Sequence, residues 1–546
     1  MSSKVAHYLQ EHLLGEVITS SDARRYFSTD GSVFSVTPAV VAYPQNENDV
    51  RKAARFSWQL AERGRRIPIT ARGSGTDQSG GALGEGIMLV FPAHMNRVLE
   101  LDSKTGVVVI EPGINYGKLQ QTLHTHGRFL PPYPSSMEFS TVGGAIANNA
   151  AGEKTIKYGC TRDYIKSLRV VLANGEVIET GRISKRELNK KLGLATFEGE
   201  IYRSLDALLE ENRDIVARTV LNVTKNSAGY AVADVKRKDG SFDLTPLMVG
   251  SQGTLGIVTE ATIETAPYNP DTTLIAAFFD DIQVSEQVVM ELRGLSSPPS
   301  ALEVVDENLL NFIHQHNPNQ LKGIIEPPFH KLVILIEFDD SSERTRKRMT
   351  KRALKVLERY QVPHIVETEA RKKEELWKIR HSAAAVISHT EGNTRALPII
   401  EDGIVPIDRF DEYLKGVYDI FQRYGLRVAI WGHAGNANLH MQPFLDLSQV
   451  GDRQKVFKII DDYYSMVISM GGSTSGEHSD GRLRAPYLEK LYGPEVYGLL
   501  QKVKQIFDPY GILNPGVKIG VTLDDIKPLL RSEYSMDHLY DHLPKS

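Results

Sequence analysis

Two stretches of nearly bare backbone constrain this chain more than any other feature. Residues 68–84 read "PITARGSGTDQSGGALG", and residues 131–165 read "PPYPSSMEFSTVGGAIANNAAGEKTIKYGCTRDYI". Glycine is entropically expensive to order, so such density argues that backbone must approach something closely. A glycine-rich loop after a strand can turn successive N–H groups inward as a nest for an anion. Gly73, Ser74, Gly75 and Thr76 are the expected donors, with the Ser79 hydroxyl nearby. No Gly-Lys-Ser/Thr follows, so this is not a Walker A loop. No cap and amphipathic helix follow it directly, which sets it apart from the Rossmann fingerprint. A mobile surface loop would explain this first stretch but not the second. There, Thr141-Val142-Gly143-Gly144, small residues to Gly152, and Tyr158-Gly159 offer little bulk. A flat molecule can lie on such backbone; a tight helix contact is the alternative.

The 546 residues imply two or more domains with substantial cores. A formal net charge of −4 argues against a general nucleic-acid binder. The single cysteine, Cys160, excludes an intramolecular disulfide and a four-cysteine iron–sulfur cluster within the chain. The start lacks the apolar core and cleavage site of a secretory signal. No apolar run approaches the ~18–20 residues that cross a bilayer. The expected home is the cytoplasm, with peripheral docking at the inner face of a membrane left open.

Residues 1–35 read as a helical lead-in. Strand, turn, helix and strand follow, the helix starting near Asn48 or Asp49 and placing Val50, Ala53, Ala54 and Trp58 at helical spacing. Short β-rich segments with intervening helices continue to about residue 268, giving expected subdomains of about 36–95 and 96–268. After "APYNPDTT", strand–helix patterns repeat in "TLIAAFFDDIQVSEQVVMELRGL" and "KLVILIEFDDSSERTRKRMTKRALKVLERY". They predict an α+β domain over 269–505, helices covering an antiparallel sheet. The basic run from Arg344 to Lys355 reads as the solvated face of one helix. It lacks the aromatic interleaving of a nucleic-acid platform.

In "RVAIWGHAGNANLHMQPF", residues 427–444, His433 and His440 flank a turn. A two-residue loop at Asn436-Ala437 would pair Ala434 with Leu439 and set the histidines directly opposite, Cβ atoms ~5 Å apart. That separation suits a shared metal ion. Two locally satisfied histidines fit equally well, and Ala437 is a poor residue where such a turn needs positive φ.

The combination of "ARGSGTDQSGG", "STVGGAIANNAAG…YG…RDYI", "VGSQGTLGIVTEA" and "IFDPYGILNPGVKI" resembles the flavoprotein family of vanillyl-alcohol oxidase. Within it, the chain resembles the FAD-linked D-2-hydroxyacid dehydrogenases over about residues 36–520. The resemblance implies a two-part FAD-binding domain over 36–268 and an α+β cap over 269–505. A C-terminal segment, 506–546, would return to the FAD side. It implies non-covalent FAD, with Arg72, Gly73, Ser74, Gly75, Thr76 and Ser79 at the pyrophosphate. Pro134, Thr141, Gly143, Gly144, Ala147, Asn148, Gly152, Tyr158 and Gly159 would run along the rest of the cofactor, joined by Gly256, Ile257 and Asn514. Cys160 is expected to be a packed thiol and not a flavin anchor.

The resemblance also supplies a third metal ligand. In "GGSTSGEHSDGRLRAPYL", residues 471–488, Glu477 and His478 are adjacent, and neighbours on extended chain point opposite ways. By motif position His433, His440 and Glu477 are ligands of one divalent ion, His478 is the base, and Arg380 grips the substrate carboxylate. Zn²⁺ leads, with Mn²⁺ and Fe²⁺ open for a mixed N/O set. His381, beside Arg380, is expected to face solvent. Two departures stand out. Gly435-Asn436-Ala437-Asn438 replaces the usual Gly-Asp-Gly-Asn, and Ser479 replaces a common Gly. Losing the Asp is expected to weaken metal binding.

The implied substrate is a 2-hydroxy acid, and the electron acceptor is separate: a quinone, an electron-transfer flavoprotein, an iron–sulfur subunit or oxygen. The run "ALPIIEDGIVP", residues 396–406, is where dicarboxylate-using relatives carry an extra basic residue. It offers Ile399, Ile400, Glu401 and Asp402, so a lactate-like monocarboxylate is expected. The resemblance allows a homodimer. Two alternatives remain: an FAD-dependent ether-lipid alkyl transferase, and a non-catalytic FAD-binding subunit of a larger oxidase.

Overall fold

The computed structural model describes residues 2–388 and 390–535, so the end of the segment expected to run to 546 lies outside the described residues. Three sheets carry the architecture. The first runs Val17–Ile18, Val40–Ala42, Ile87–Val90, Ile69–Arg72, with its last three strands parallel. Its edge strand comes from the lead-in, which is therefore not helical throughout. The helix Glu47–Glu62 covers this sheet and buries Val50, Ala53 and Ala54, with Trp58 half-buried. Its cap is Asn46, earlier than the expected Asn48 or Asp49, and accepts the Asp49 N–H at 3.2 Å. Asp49 is engaged elsewhere: its carboxylate accepts the N–H groups of Leu14 (3.0 Å) and Gly15 (3.1 Å), tying the lead-in down.

The second sheet is antiparallel, in the order Val98–Asp102, Val107–Ile110, Ile257–Glu264, Ile165–Val171, Val177–Glu179. The third is a six-stranded antiparallel sheet, His364–Glu367, Thr273–Phe279, Leu332–Phe338, Ala301–Asp306, Ile430–His433, Asn438–Met441. Its inner strands are largely apolar on both sides because both faces are covered there. Ile275 and Ala277 pack under helices bearing Val288, Met349 and Val417, whereas Leu274 and Ala276 pack with Leu309, Leu376 and Ile379. The helix Glu343–Arg359 buries Met349, Ala353, Val356 and Leu357 and exposes Arg344, Lys347, Arg348 and Lys351.

Two contacts join the sheets around one cleft. The tail returns to the first sheet, where the Ile69 N–H donates to Ile512 O (2.7 Å) and the Asn514 N–H to Ile69 O (2.8 Å). The segment 153–158 meets the six-stranded sheet through Lys154–Glu337, Lys157–Asp339 (2.6 Å) and Tyr158 Oη–Asp339 (2.9 Å).

Candidate active site

The cleft is walled by both glycine-rich stretches. Gly73, Ser74, Gly75 and Thr76 face Thr141, Gly143, Gly144, Ala147 and Asn148 across it; Arg72, Pro134, Gly256 and Ile257 complete the wall. The two stretches touch so closely that a Cβ at Gly73 would overlap Thr141 Oγ1. Among the described residues, the backbone N–H groups of Gly73, Ser74, Gly75 and Thr76 have no protein acceptor. Four free donors on one loop fit the pyrophosphate of a dinucleotide.

Other expected cofactor residues stand behind this wall. Ser79 is buried, its hydroxyl 2.9 Å from Asp77. Gly152 packs against Tyr133, Tyr158 reaches Asp339, and Gly159 turns at φ 82°. Asn514 donates to Gly81 O (2.8 Å) and Gln252 O (2.7 Å), fixing the loop from below. Even Arg72 turns away from the cleft, its guanidinium donating to Thr29 O at 2.8 Å. Burial pushes the Cys160 thiol up to about 12, and it is absent from the cleft wall.

At the far end of the cleft stand His440, Glu477 and His478, with Trp431, Gln442 and Glu401. The hairpin register differs from expectation: His433 pairs with Asn438 and His440 with Trp431, around a turn at Ala434–Ala437. The shift is two residues, so both histidines keep one face. Their Nε2 atoms are 3.3 Å apart, and Glu477 Oε1 lies 3.1 Å from His433 Nε2 and 3.2 Å from His440 Nε2. Ligands at ~2.0–2.2 Å from a tetrahedral ion are about 3.3–3.6 Å apart, so the triangle fits one with a small outward adjustment.

The outer nitrogens reinforce that reading. His433 Nδ1 is 2.7 Å from Glu303 Oε1, and His440 Nδ1 is 3.2 Å from Glu401 Oε2. A carboxylate only accepts, so each Nδ1 carries a proton while each Nε2 points at Glu477 Oε1. Two imidazole nitrogens and a carboxylate oxygen converging on one point make a donor set that suits a divalent cation. Carboxylate-backed histidines are the usual dress of a metal ligand. Asp402 also lies within 4.8 Å of His440, Glu477 and His478. Its oxygens instead accept the N–H groups of Glu477 (3.1 Å) and His478 (2.8 Å), holding the 475–478 turn.

Charge around the site is matched in pairs. Arg380 Nε donates to Glu303 at 2.8 Å, Arg484 pairs with Glu401, and Lys225 Nζ is 2.5 Å from Glu477 Oε2. Burial opposes ionisation of Glu477, but Lys225 and His433 outweigh it and hold the carboxyl well below its usual range. Burial likewise opposes His478 protonation, and Glu401 and Asp402 overcome it, raising the imidazole to about 9. Arg380 is buried and off the cleft wall; among the described residues neither of its Nη groups has an acceptor. His381 is exposed. Asn436 Nδ2 donates to Thr224 at 2.8 Å.

Sequence reading passed over Glu303, Lys225, Arg484, Gln442 and Trp431. Glu303 and Lys225 stand far along the chain from the ligands they brace, as Arg484 does from Glu401, and nothing periodic marks them. Glu401 and Asp402 were noted only as lacking a positive charge. Of that run, Ile399 and Ile400 lie in the core, whereas Glu401 lines the cleft.

Residues 38–181 match the family described as FAD binding domain, and residues 269–517 match FAD linked oxidases, C-terminal domain. The chain is 30% identical over 501 residues to glycolate oxidase subunit GlcD of Bacillus subtilis (strain 168), covering 91% of this chain and 92% of that one. It is 29% identical to D-lactate dehydrogenase of Archaeoglobus fulgidus, covering 92% of this chain and 96% of that one. It is also 29% identical to D-2-hydroxyglutarate dehydrogenase of Escherichia coli (strain K12), of which it spans 50%. The solved 4-ethylphenol oxidase from Gulosibacter chungangensis superimposes with TM-score 0.68 at 17% identity, covering 96% of this chain and 98% of that one. An alkyldihydroxyacetonephosphate synthase superimposes with TM-score 0.64 at 16% identity, covering 94% and 84%, a likeness of fold alone. Fold and cleft together define the class, an FAD binding domain joined to the C-terminal domain of FAD linked oxidases. Within that class the chain belongs to the FAD-linked oxidases that include glycolate oxidase subunit GlcD, D-lactate dehydrogenase and D-2-hydroxyglutarate dehydrogenase.

Proposed function

We propose that this protein oxidises a D-2-hydroxy acid to the 2-oxo acid, with FAD in the glycine-walled cleft and a divalent ion, Zn²⁺ first, on His433, His440 and Glu477. The observation that carries this reading is the triangle of Nε2, Nε2 and Oε1 atoms, with edges of 3.1–3.3 Å, at the end of that cleft. When bound, FAD supplies a hydride acceptor at N5, and the ion a Lewis acid for the substrate hydroxyl.

The chain's own residues do the rest. His478, in the neutral form it would take once the charge of a bound dication offsets Glu401 and Asp402, accepts the hydroxyl proton, a role worth ~10²–10⁴-fold in rate. Glu401 Oε2, 2.7 Å from His478 Nδ1, steadies the ring and the charge it gains. Arg380 stands behind the cleft wall with its Nε anchored on Glu303, and its Nη pair is the group suited to a substrate carboxylate that reaches past the ligand triangle. Gln442 is buried in the same wall, its Oε1 without a hydrogen-bond partner among the described residues. Among the described wall residues Arg72 is the only lysine or arginine, and it faces away. A second substrate carboxylate would be stranded there at ~1–3 kcal/mol or more, which favours lactate-like monocarboxylates. Electrons then leave to a separate acceptor.

An anaerobic screen of D- and L-2-hydroxy acids, reading loss of flavin absorbance, tests the proposal. D-Lactate or a longer D-monoacid should bleach the flavin. Preference for D-2-hydroxyglutarate would reverse the size argument alone, and no bleaching by any hydroxy acid would defeat the function. His440→Ala should lose metal and turnover while keeping FAD; full activity there would make the histidines structural.

A further inference from the structure

We propose that Lys225 is a positioning residue that restricts Glu477 to one-oxygen ligation and so keeps a coordination position open for substrate. The inference rests on the metal reading above. The Lys225 side chain is fully buried, and its Nζ lies 2.5 Å from Glu477 Oε2, the oxygen turned away from the histidines. The other oxygen, Oε1, completes the triangle with His433 and His440.

A carboxylate can bind a cation through one oxygen or both. Here Oε2 can swing to the ion only by leaving a buried ammonium unpaired, which is strongly unfavourable. The lysine itself cannot follow, because its neighbours are pinned to the turn that carries Glu477. Asn226 Oδ1 accepts from Ser473 Oγ (2.7 Å), and Ser227 N–H donates to Ser475 O (3.0 Å). Ser227 Oγ donates to Gly476 O at 3.1 Å. Each outward face of the ligand triangle thus has a counter-charge, and only Lys225 acts on a carboxylate with a free choice of denticity.

Cobalt(II) added to the metal-stripped, FAD-loaded protein is the probe, read by X-ray absorption and visible d–d bands. Wild type should take up about one ion with a single carboxylate oxygen from Glu477. Lys225→Met should retain the ion, gain one oxygen in the first coordination sphere, and show weaker d–d absorption. Its KM for substrate should rise ~10-fold or more, the scale of changes behind metal ligands. Lys225→Arg, which preserves charge and donors, should restore the wild-type spectrum. If the Met variant sheds FAD, Lys225→Gln is read in the same way. Cobalt bound by wild type with an unchanged spectrum in both neutral variants would overturn the role of Lys225 and leave the metal reading standing. No cobalt uptake by wild type would overturn both.

Discussion

Ser479 follows His478 with φ at 64°, in the left-handed region that suits glycine. A side chain there costs roughly 1–2 kcal/mol. Its hydroxyl offsets this by donating to Ser227 O (3.1 Å) and accepting from the buried Lys518 Nζ (2.7 Å). Hydrogen bonds to a charged group are worth ~1.5–3 kcal/mol, so strain and bonding nearly cancel. Replacing Ser479 should therefore reverse the usual order of small residues. Ser479→Ala keeps the strain and loses both bonds, and should destabilise by ~2 kcal/mol. Ser479→Gly loses the bonds but also the strain, and should be about 1 kcal/mol more stable than the Ala variant. Urea unfolding of the two variants decides it; an Ala variant equal to or more stable than Gly would show that the strain is relieved elsewhere.

The hairpin shows how much of the site sequence pattern can reveal. Its two strands, its turn and the shared face of His433 and His440 were legible, because side chains alternate with period two and a two-residue shift keeps that parity. The register was not, since it depends on Ala437 taking φ 51° at the end of a longer turn, a conformation composition argues against. Nor were Glu303 and Lys225, which approach from other parts of the chain. The glycine-rich walls were readable for the opposite reason: close backbone approach leaves its mark locally, as bare residues. Gly432 carries the same lesson into a test. It stands at φ 151°, where a Cβ would lie 2.5 Å from Asn438 O and 2.9 Å from Leu439 Cα. Gly432→Ala should splay the two strands at a cost of ~1–3 kcal/mol and separate the histidines. Metal content should fall while FAD absorbance is kept; a variant with full metal would show that the hairpin absorbs the clash.

Catalysis as proposed needs the glycine-walled half of the cleft and the histidine-bearing sheet held in register, and segment 153–158 is where charge does this. Glu153 accepts from Tyr133 Oη at 2.7 Å and lies 3.7 Å from His381 Nε2 on the helix that also carries Arg380. Burial works against the Glu153 carboxylate, but the attraction of His381 and Lys154 and the Tyr133 hydrogen bond prevail and lower it from 4.5 to about 2. A carboxyl depressed on folding stabilises the folded state above its unfolded pKa, and that contribution fades as pH falls from about 4.5 toward 2. The shift corresponds to at most about 3 kcal/mol, and less once water screens the exposed His381. Glu153→Gln removes the titration, so its unfolding free energy should depend less steeply on pH between 5 and 3 than that of wild type, the two converging at the acid end. Lys157–Asp339 and Lys154–Glu337 remain in that variant, so the halves should stay docked at neutral pH. Equal slopes for the two proteins, followed by urea unfolding across that range, would mean that Glu153 titrates alike folded and unfolded, and that the lysine pairs alone hold the site together.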